Sequence, residues 1–200
     1  MQHYFIDKEH LESDYFEFKD KILSYDLCFR SCDSIFSKNK IDDGTRALVE
    51  AIDKKIELTG FGLDLGCGLG ALSIPILKRF DVKMLLSDIN ATAVSLTREN
   101  LIKNGVSSRA KTIVSNGFEN IVDNFDFIIS NPPIKVGKKV LFELMDGCFK
   151  HLLVGGKLVL VIRKDLGMES LKKHLIELFD NCEIVDRNKG YYILISEKHN

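Results

Sequence analysis

From residue 43 to its end the chain alternates between two periodicities, and this alternation restricts the fold more than any other feature. Residues 45–56 set Leu48, Ala51, Ile52 and Ile56 at helical spacing, and 62–65 is a short strand that runs into a glycine cluster. Helix-like stretches follow at 70–80, 91–104, 140–153 and 170–179, separated by strand-like runs at 82–87, 111–115, 125–130 and 157–162. Pro75 should kink or shorten the first of these helices. Asn90 suits an N-cap, Gly105 a stop, and Gly155-Gly156 an end to the helix at 140–153. Two last strands at 183–186 and 191–196 are joined by Arg187-Asn188-Lys189-Gly190, which signals a hairpin. Alternating strands and helices imply a parallel sheet covered on both faces, and the hairpin adds antiparallel strands at one edge. The expected architecture is α/β, with a seven-stranded, mostly parallel sheet. Residues 1–42 read differently: their aromatic clusters, broken by charges, suggest a small antiparallel extension packed on a core of residues 43–200.

Composition narrows the function classes. A 200-residue chain with 45% hydrophobic and 28% charged residues is that of a globular protein able to bury its own core. Its apolar runs are too short to span a membrane, and the mixed, acidic start is unlike a secretion signal or transit peptide, so a cytoplasmic protein is expected. Five cysteines at irregular spacing suggest reduced thiols, and no Cys/His pattern suggests a metal site. The formal charge of −1 is unevenly spread: residues 1–60 are net acidic and 131–200 net basic. A basic rim that could meet phosphates is therefore expected in the last third.

Open parallel sheets bind ligands beyond the carboxyl ends of their strands. Here those ends carry "LDLGCGLGALS" (63–73), "SDIN" (87–90), "SNG" (115–117), "SNPPI" (130–134) and "RKD" (163–165). Gly66, Gly68 and Gly70, with Cys67 between the first two, let a ligand approach the backbone at a helix start. Asp64 precedes them by two residues. It would repel the diphosphate of a nicotinamide cofactor, which weakens an oxidoreductase reading, and would suit a cation. Asp88, at the next strand end, is placed to take two ribose hydroxyls. A ribose with a cationic tail and no phosphate describes S-adenosylmethionine.

Taken in order, these motifs resemble the class I S-adenosylmethionine-dependent methyltransferases, which implies a Rossmann-like fold. "FSKNKIDDGTRALVE", "NPPIKVGKKV", "GGKLVLVIRKDLGMESLKKHL" and "NKGYYILIS" narrow the likeness to the small-subunit ribosomal RNA guanine-N2 methyltransferases and their single-domain relatives. The longer members carry a second, degenerate methyltransferase-like half in front, which has no counterpart in these 200 residues. The resemblance implies cofactor contacts from Thr45, Asp64, Gly66, Cys67, Gly68, Gly70, Asp88, Ile89, Asn90, Asn116, Gly117 and Asn131. It implies ribosomal RNA or the small ribosomal subunit as the partner.

Asn131-Pro132-Pro133-Ile134 carries the chemistry. The lone pair of an exocyclic base amine is delocalised into the ring. Acceptors on its two N–H groups can draw it toward a tetrahedral shape, and the Asn131 side-chain oxygen and the Pro132 carbonyl are such acceptors. Proline after both residues favours extended backbone, and the proline rings fix φ, so the oxygens are held stiffly. Catalysis is then positioning and electrostatics, and no strong base is needed. Ile134 stands where many amine methyltransferases have an aromatic residue. That speaks against adenine N6 or a glutamine amide as the target and leaves Phe36 or Tyr191 to stack on the base. Arg46, Lys135, Lys138, Lys139, Arg163 and Lys164 are candidates for RNA contact. A non-catalytic cofactor- or RNA-binding module is the remaining alternative.

Overall fold

The computed structural model describes residues 15–33, 35, 39–133 and 137–200. Phe36, Ile134 and Lys135 lie outside these, as do residues 1–14.

Seven strands form one sheet: β3 (Phe61–Leu65), β4 (Lys83–Asp88), β5 (Ala110–Val114), β6 (Phe125–Ser130), β7 (Leu152–Arg163), β8 (Glu183–Asn188) and β9 (Tyr191–Glu197), in the order β5-β4-β3-β6-β7-β9-β8. The pairs from β5 to β7 are parallel, and β9 runs antiparallel to both β7 and β8. The helices are α1 (Asp43–Lys55), α2 (Ser73–Arg79), α3 (Ala91–Lys103), α4 (Lys138–His151) and α5 (Met168–Phe179). A separate hairpin, β1 (Tyr15–Ile22) and β2 (Tyr25–Cys32), supplies the N-terminal antiparallel element. The mostly parallel α/β sheet, its C-terminal hairpin and its N-terminal antiparallel element are as the periodicities imply. Among the described residues no helix is long and apolar enough to cross a membrane.

The pleat divides the core in two. On β7, Val159 and Val161 join the layer under α1, α2, α3 and the β1–β2 hairpin, while Leu158, Leu160 and Ile162 join the layer under α4 and α5. Both layers are needed because a parallel sheet buries both faces, which accounts for the unbroken apolar run at 158–162.

Three boundaries differ from the sequence expectation. Helix α2 starts at Ser73, after a turn in which Gly70 N–H donates to the Cys67 carbonyl at 2.8 Å. Pro75 therefore sits in the first helical turn, where a missing N–H costs no intrahelical bond, so the helix is short rather than kinked. Helix α4 ends at His151, four residues before Gly155-Gly156. Leu152 pairs with Phe125, and Lys198 bonds Gly155 and Gly156 through its carbonyl and N–H, so this stretch belongs to β7. Gly156 is needed for close approach: a Cβ there would lie 2.8 Å from the Leu153 carbonyl oxygen. The last hairpin is longer than expected, and its turn is Lys189-Gly190 with φ of 48° and 82°. Positive φ at both positions matches the twist of the flanking strands.

After β3 the chain builds outward through β4 to β5, then returns to place β6 on the other side of β3. The connections thus diverge between β3 and β6, the topology in which open parallel sheets form a ligand crevice beyond the strands' carboxyl ends.

Candidate active site at the carboxyl edge of the sheet

The loop after β3 is the floor of this crevice. Gly66 and Cys67 both donate backbone N–H to the Ser87 carbonyl at 2.9 Å, which folds the loop toward β4. Gly66 and Gly68 have φ of 81° and 55°, and a Cβ on either would meet nothing within 4 Å. Backbone conformation accounts for these glycines, and the open space over them leaves room for a ligand.

Asp64 lies beneath the loop with no solvent exposure. Ser73 donates its hydroxyl to Oδ2 at 2.5 Å, while Oδ1 has no hydrogen-bond partner. Burial pushes the Asp64 carboxyl up to about 7; the Ser73 hydrogen bond opposes this, and the Asp88 charge adds to it. A buried carboxylate with an unsatisfied oxygen fits a cationic group such as the ammonium and sulfonium of S-adenosylmethionine.

Asp88 ends β4 half-buried. Gly68 N–H donates to Oδ2 and Asn90 N–H to Oδ1, each at 2.9 Å, so the carboxylate is held rigidly with lone pairs to spare for ribose hydroxyls. Asn90 spends its side-chain oxygen on Thr92 N–H and Ala93 N–H as the cap of α3, so that oxygen is committed to the helix. Ile89 between them is 67% exposed. An exposed Ile beside Asp88 offers an apolar surface at the end of β4. Asn116 is exposed and donates to Glu119 Oε1 at 2.8 Å. Gly117 clears Leu144, whose Cδ2 would be 3.0 Å from a Cβ there.

On the other wall, β6 delivers Asn131 and Pro132. Ser130 hydroxyl donates to the Leu65 carbonyl at 2.7 Å and fastens the ends of β6 and β3 together across the divide. Asn131 is half-buried, Pro132 buried and Pro133 exposed. The Asn131 Nδ2 donates to Asp42 Oδ1 at 3.1 Å and to Thr45 Oγ1 at 3.0 Å. Asp42 is also the cap of α1, accepting Thr45 N–H at 3.0 Å. Thr45 therefore stands inside the first turn of α1, not at its cap. Its hydroxyl serves Asn131.

The candidate RNA contacts divide. Arg46 donates to the Lys21 carbonyl and to both Asp20 oxygens, at 2.7 and 3.0 Å, and so pins the β1–β2 hairpin to α1. The guanidinium proposed for substrate contact is thus engaged within the fold. Arg163 is held by Asp165 in a two-pronged pair, and Lys139 reaches Glu143 at 3.9 Å. Lys138 lies over the Phe142 ring, and Lys164 is exposed at the end of β7. Tyr191 is half-buried, with its ring against Gly44; a Cβ on Gly44 would be 2.9 Å from the tyrosine Cε1. Gly44 is followed by Thr45, whose hydroxyl accepts from Asn131. Among the described residues, no cluster of His, Cys, Asp and Glu could hold a metal ion. A groove of about 150 Å³ lined by Glu57–Thr59, Asp126, Phe127 and residues 154–157 lies at the amino ends of β3 and β6, the edge opposite this site.

Sequence reasoning missed Asp42, Ser73 and Ser130. Asp42 had a readable signal, since an acidic residue three before Thr45 at a helix start is an N-cap pattern. Ser73 and Ser130 are ordinary serines until the fold sets each against its partner.

The sequence profile of the methyltransferase small domain family matches residues 26–195. An uncharacterized protein, YbxB, of Bacillus subtilis is 34% identical over 98% of both chains. The ribosomal RNA small subunit methyltransferase C of Serratia proteamaculans is 37% identical over 84% of this chain and 48% of its own length. Among solved structures, a Thermus thermophilus 16S rRNA N2 G1207 methyltransferase, in complex with AdoMet and guanosine, superposes with a TM-score of 0.85. It is 25% identical over 96% of this chain and 52% of its own. The chain thus spans about half the length of the ribosomal RNA methyltransferases it matches.

Proposed function

Since the chain belongs to the methyltransferase small domain family and carries an S-adenosylmethionine-binding fold, we propose that it methylates the exocyclic N2 of a guanine in small-subunit ribosomal RNA. The observation that carries this reading is the position of Asn131-Pro132 at the end of β6, across the β3–β6 crevice from Asp64 and the Gly66–Gly70 loop. The likeness to the Thermus guanine-N2 methyltransferase supports the choice of base.

In this reading Asp64 and the glycine loop hold the methionine part, Asp88 the ribose, and Ile89 with Asn116 and Gly117 the adenine. S-adenosylmethionine supplies a methyl group already activated by a positive sulfur. The chain's own task is to hold the amine. Asn131 Oδ1 and the Pro132 carbonyl accept its two N–H groups, which frees the nitrogen lone pair and orients it. As the N–C bond would form, the S–C bond would break and leave the neutral thioether S-adenosylhomocysteine, and the proton lost from the amine would pass to water. Lys138 and Lys164, exposed on the rim, are available to RNA phosphates, and a ribosomal RNA substrate would place the work in the cytoplasm.

Incubation with methyl-labelled S-adenosylmethionine and small ribosomal subunits from cells lacking the protein, followed by nucleoside mass spectrometry, tests this. N2-methylguanosine at one position is expected. N6-methyladenosine, or label in protein alone, would refute it.

A further inference from the structure

Asn131 can serve an amine only if its oxygen, and not its nitrogen, faces the crevice. An amide has one end that accepts and one that donates, and the two differ little in shape. The surroundings must choose between them. Nδ2 has two N–H groups, and two acceptors take them: Asp42 Oδ1 at 3.1 Å and Thr45 Oγ1 at 3.0 Å. Among the described residues, no donor reaches Asn131 Oδ1.

We propose that Asp42 and Thr45 are positioning residues that lock the Asn131 amide with its oxygen toward the reacting group, and so restrict the site to groups that donate N–H. This rests on the amine-methylating reading above. The two partners contribute differently. A threonine hydroxyl can accept from Nδ2 or, turned round, donate to Oδ1, so Thr45 alone would tolerate either orientation. An ionised carboxylate only accepts. With the amide flipped, Asn131 Oδ1 would face Asp42 Oδ1 with no hydrogen between them. Asp42 therefore chooses the orientation, and Thr45 secures it.

The local fold keeps this carboxylate in place. Asp42 Oδ1 is also the acceptor for Thr45 N–H in the cap of α1, so a single oxygen serves both the helix and the asparagine. Thr45 is 5% exposed and cannot swing away. Gly44 leaves the room this requires: a Cβ there would lie 3.1 Å from Asp42 Oδ1 and 2.9 Å from the Tyr191 ring. The start of α1 is thus shaped around the end of β6, 89 positions on in sequence from Asp42.

Three variants separate this role from a structural one. Thr45→Val keeps shape and cap but removes the acceptor. Asp42→Asn keeps an oxygen at the cap position, whereas Asp42→Ala removes it. Expected are a fall in kcat of about tenfold for Thr45→Val and about 10- to 100-fold for Asp42→Ala, with Asp42→Asn within about threefold of the parent. The affinity for S-adenosylmethionine by calorimetry should stay within about twofold in all three. A second readout needs no turnover. In the unmodified protein the Asn131 side-chain N–H₂ signals should exchange slowly with solvent in NMR, and faster in Thr45→Val and Asp42→Ala. Equal exchange in all three would overturn the inference whatever the true substrate is. So would a Thr45→Val defect confined to cofactor affinity, or Asp42→Asn as impaired as Asp42→Ala. Failure of the unmodified protein to methylate guanine, with the exchange difference intact, would refute the substrate and leave the amide lock standing.

Discussion

Asp64 illustrates how one residue can be costly to the fold and useful to the site. Its carboxyl is fully buried, one oxygen is unsatisfied, and burial raises it to about 7. An unfolded Asp titrates near ~4. The folded state therefore favours the protonated form. Stability from this group is fully present below about 4 and is lost as pH rises through about 7. A cation bound beside it favours the ionised form and drives the proton off. Affinity for S-adenosylmethionine should accordingly climb as pH rises toward about 7 and then level, with proton release measurable by calorimetry in buffers of different ionisation heat. Asp64→Asn should remove this pH dependence and weaken binding, while melting at a higher temperature than the parent protein at pH 8. A variant that bound as tightly, with the same pH profile, would exclude Asp64 as the cation's partner.

At the scale of elements, the β1–β2 hairpin is held to the sheet domain by side chains acting as backbone. Asn100 on α3 accepts from Arg30 N–H at 2.7 Å and donates to the carbonyls of Arg30 and Leu69, both at 3.1 Å. Asn104, one turn on, does the same for Cys28, accepting its N–H at 3.2 Å and donating to its carbonyl at 2.8 Å. An inner helical asparagine thus replaces a neighbouring strand for β2 and also steadies the glycine loop through Leu69. Asn100→Ala leaves several polar groups without partners at a fully buried site, so a loss of roughly 2–4 kcal/mol in urea denaturation is expected. A loss below about 0.5 kcal/mol would mean that water replaces the asparagine freely. Neither contact can be inferred from the periodicity of α3, where Asn100 falls among apolar core positions and its partners Arg30 and Leu69 lie 70 and 31 residues earlier. The α3 cap, by contrast, was legible, because the Asn90 side-chain oxygen bonds only to residues two and three ahead of it. The Pro75 helix shows the same division: a proline constrains its neighbours, but whether it falls in a first turn depends on where the preceding loop closes.

For the whole molecule, the strand order brings together groups far apart in the chain. Asp42, Asp64, Asp88 and Asn131 converge because β3 and β6 are neighbours while the chain between them builds β4 and β5 on the other side. Ligand that fills this crevice binds only the folded protein, so S-adenosylmethionine should raise the melting temperature progressively with concentration. At 100 times its dissociation constant the gain is about 2.7 kcal/mol. Asp88→Ala should abolish most of that rise at the same concentration; an unchanged rise would remove Asp88 from the cofactor site. The sequence by itself determined the elements, the open α/β sheet and the glycine-rich strand ends, since these depend on periods of two and 3.6 residues and on backbone limits within a few positions. Tertiary structure alone decided that Arg46 braces a hairpin, that Asp64 is fully buried, and that Asn131 gives its nitrogen to Asp42 and Thr45. Those outcomes depend on which surfaces meet once the strands are ordered, and the energy of a buried polar group is settled by its partners rather than by its own chemistry.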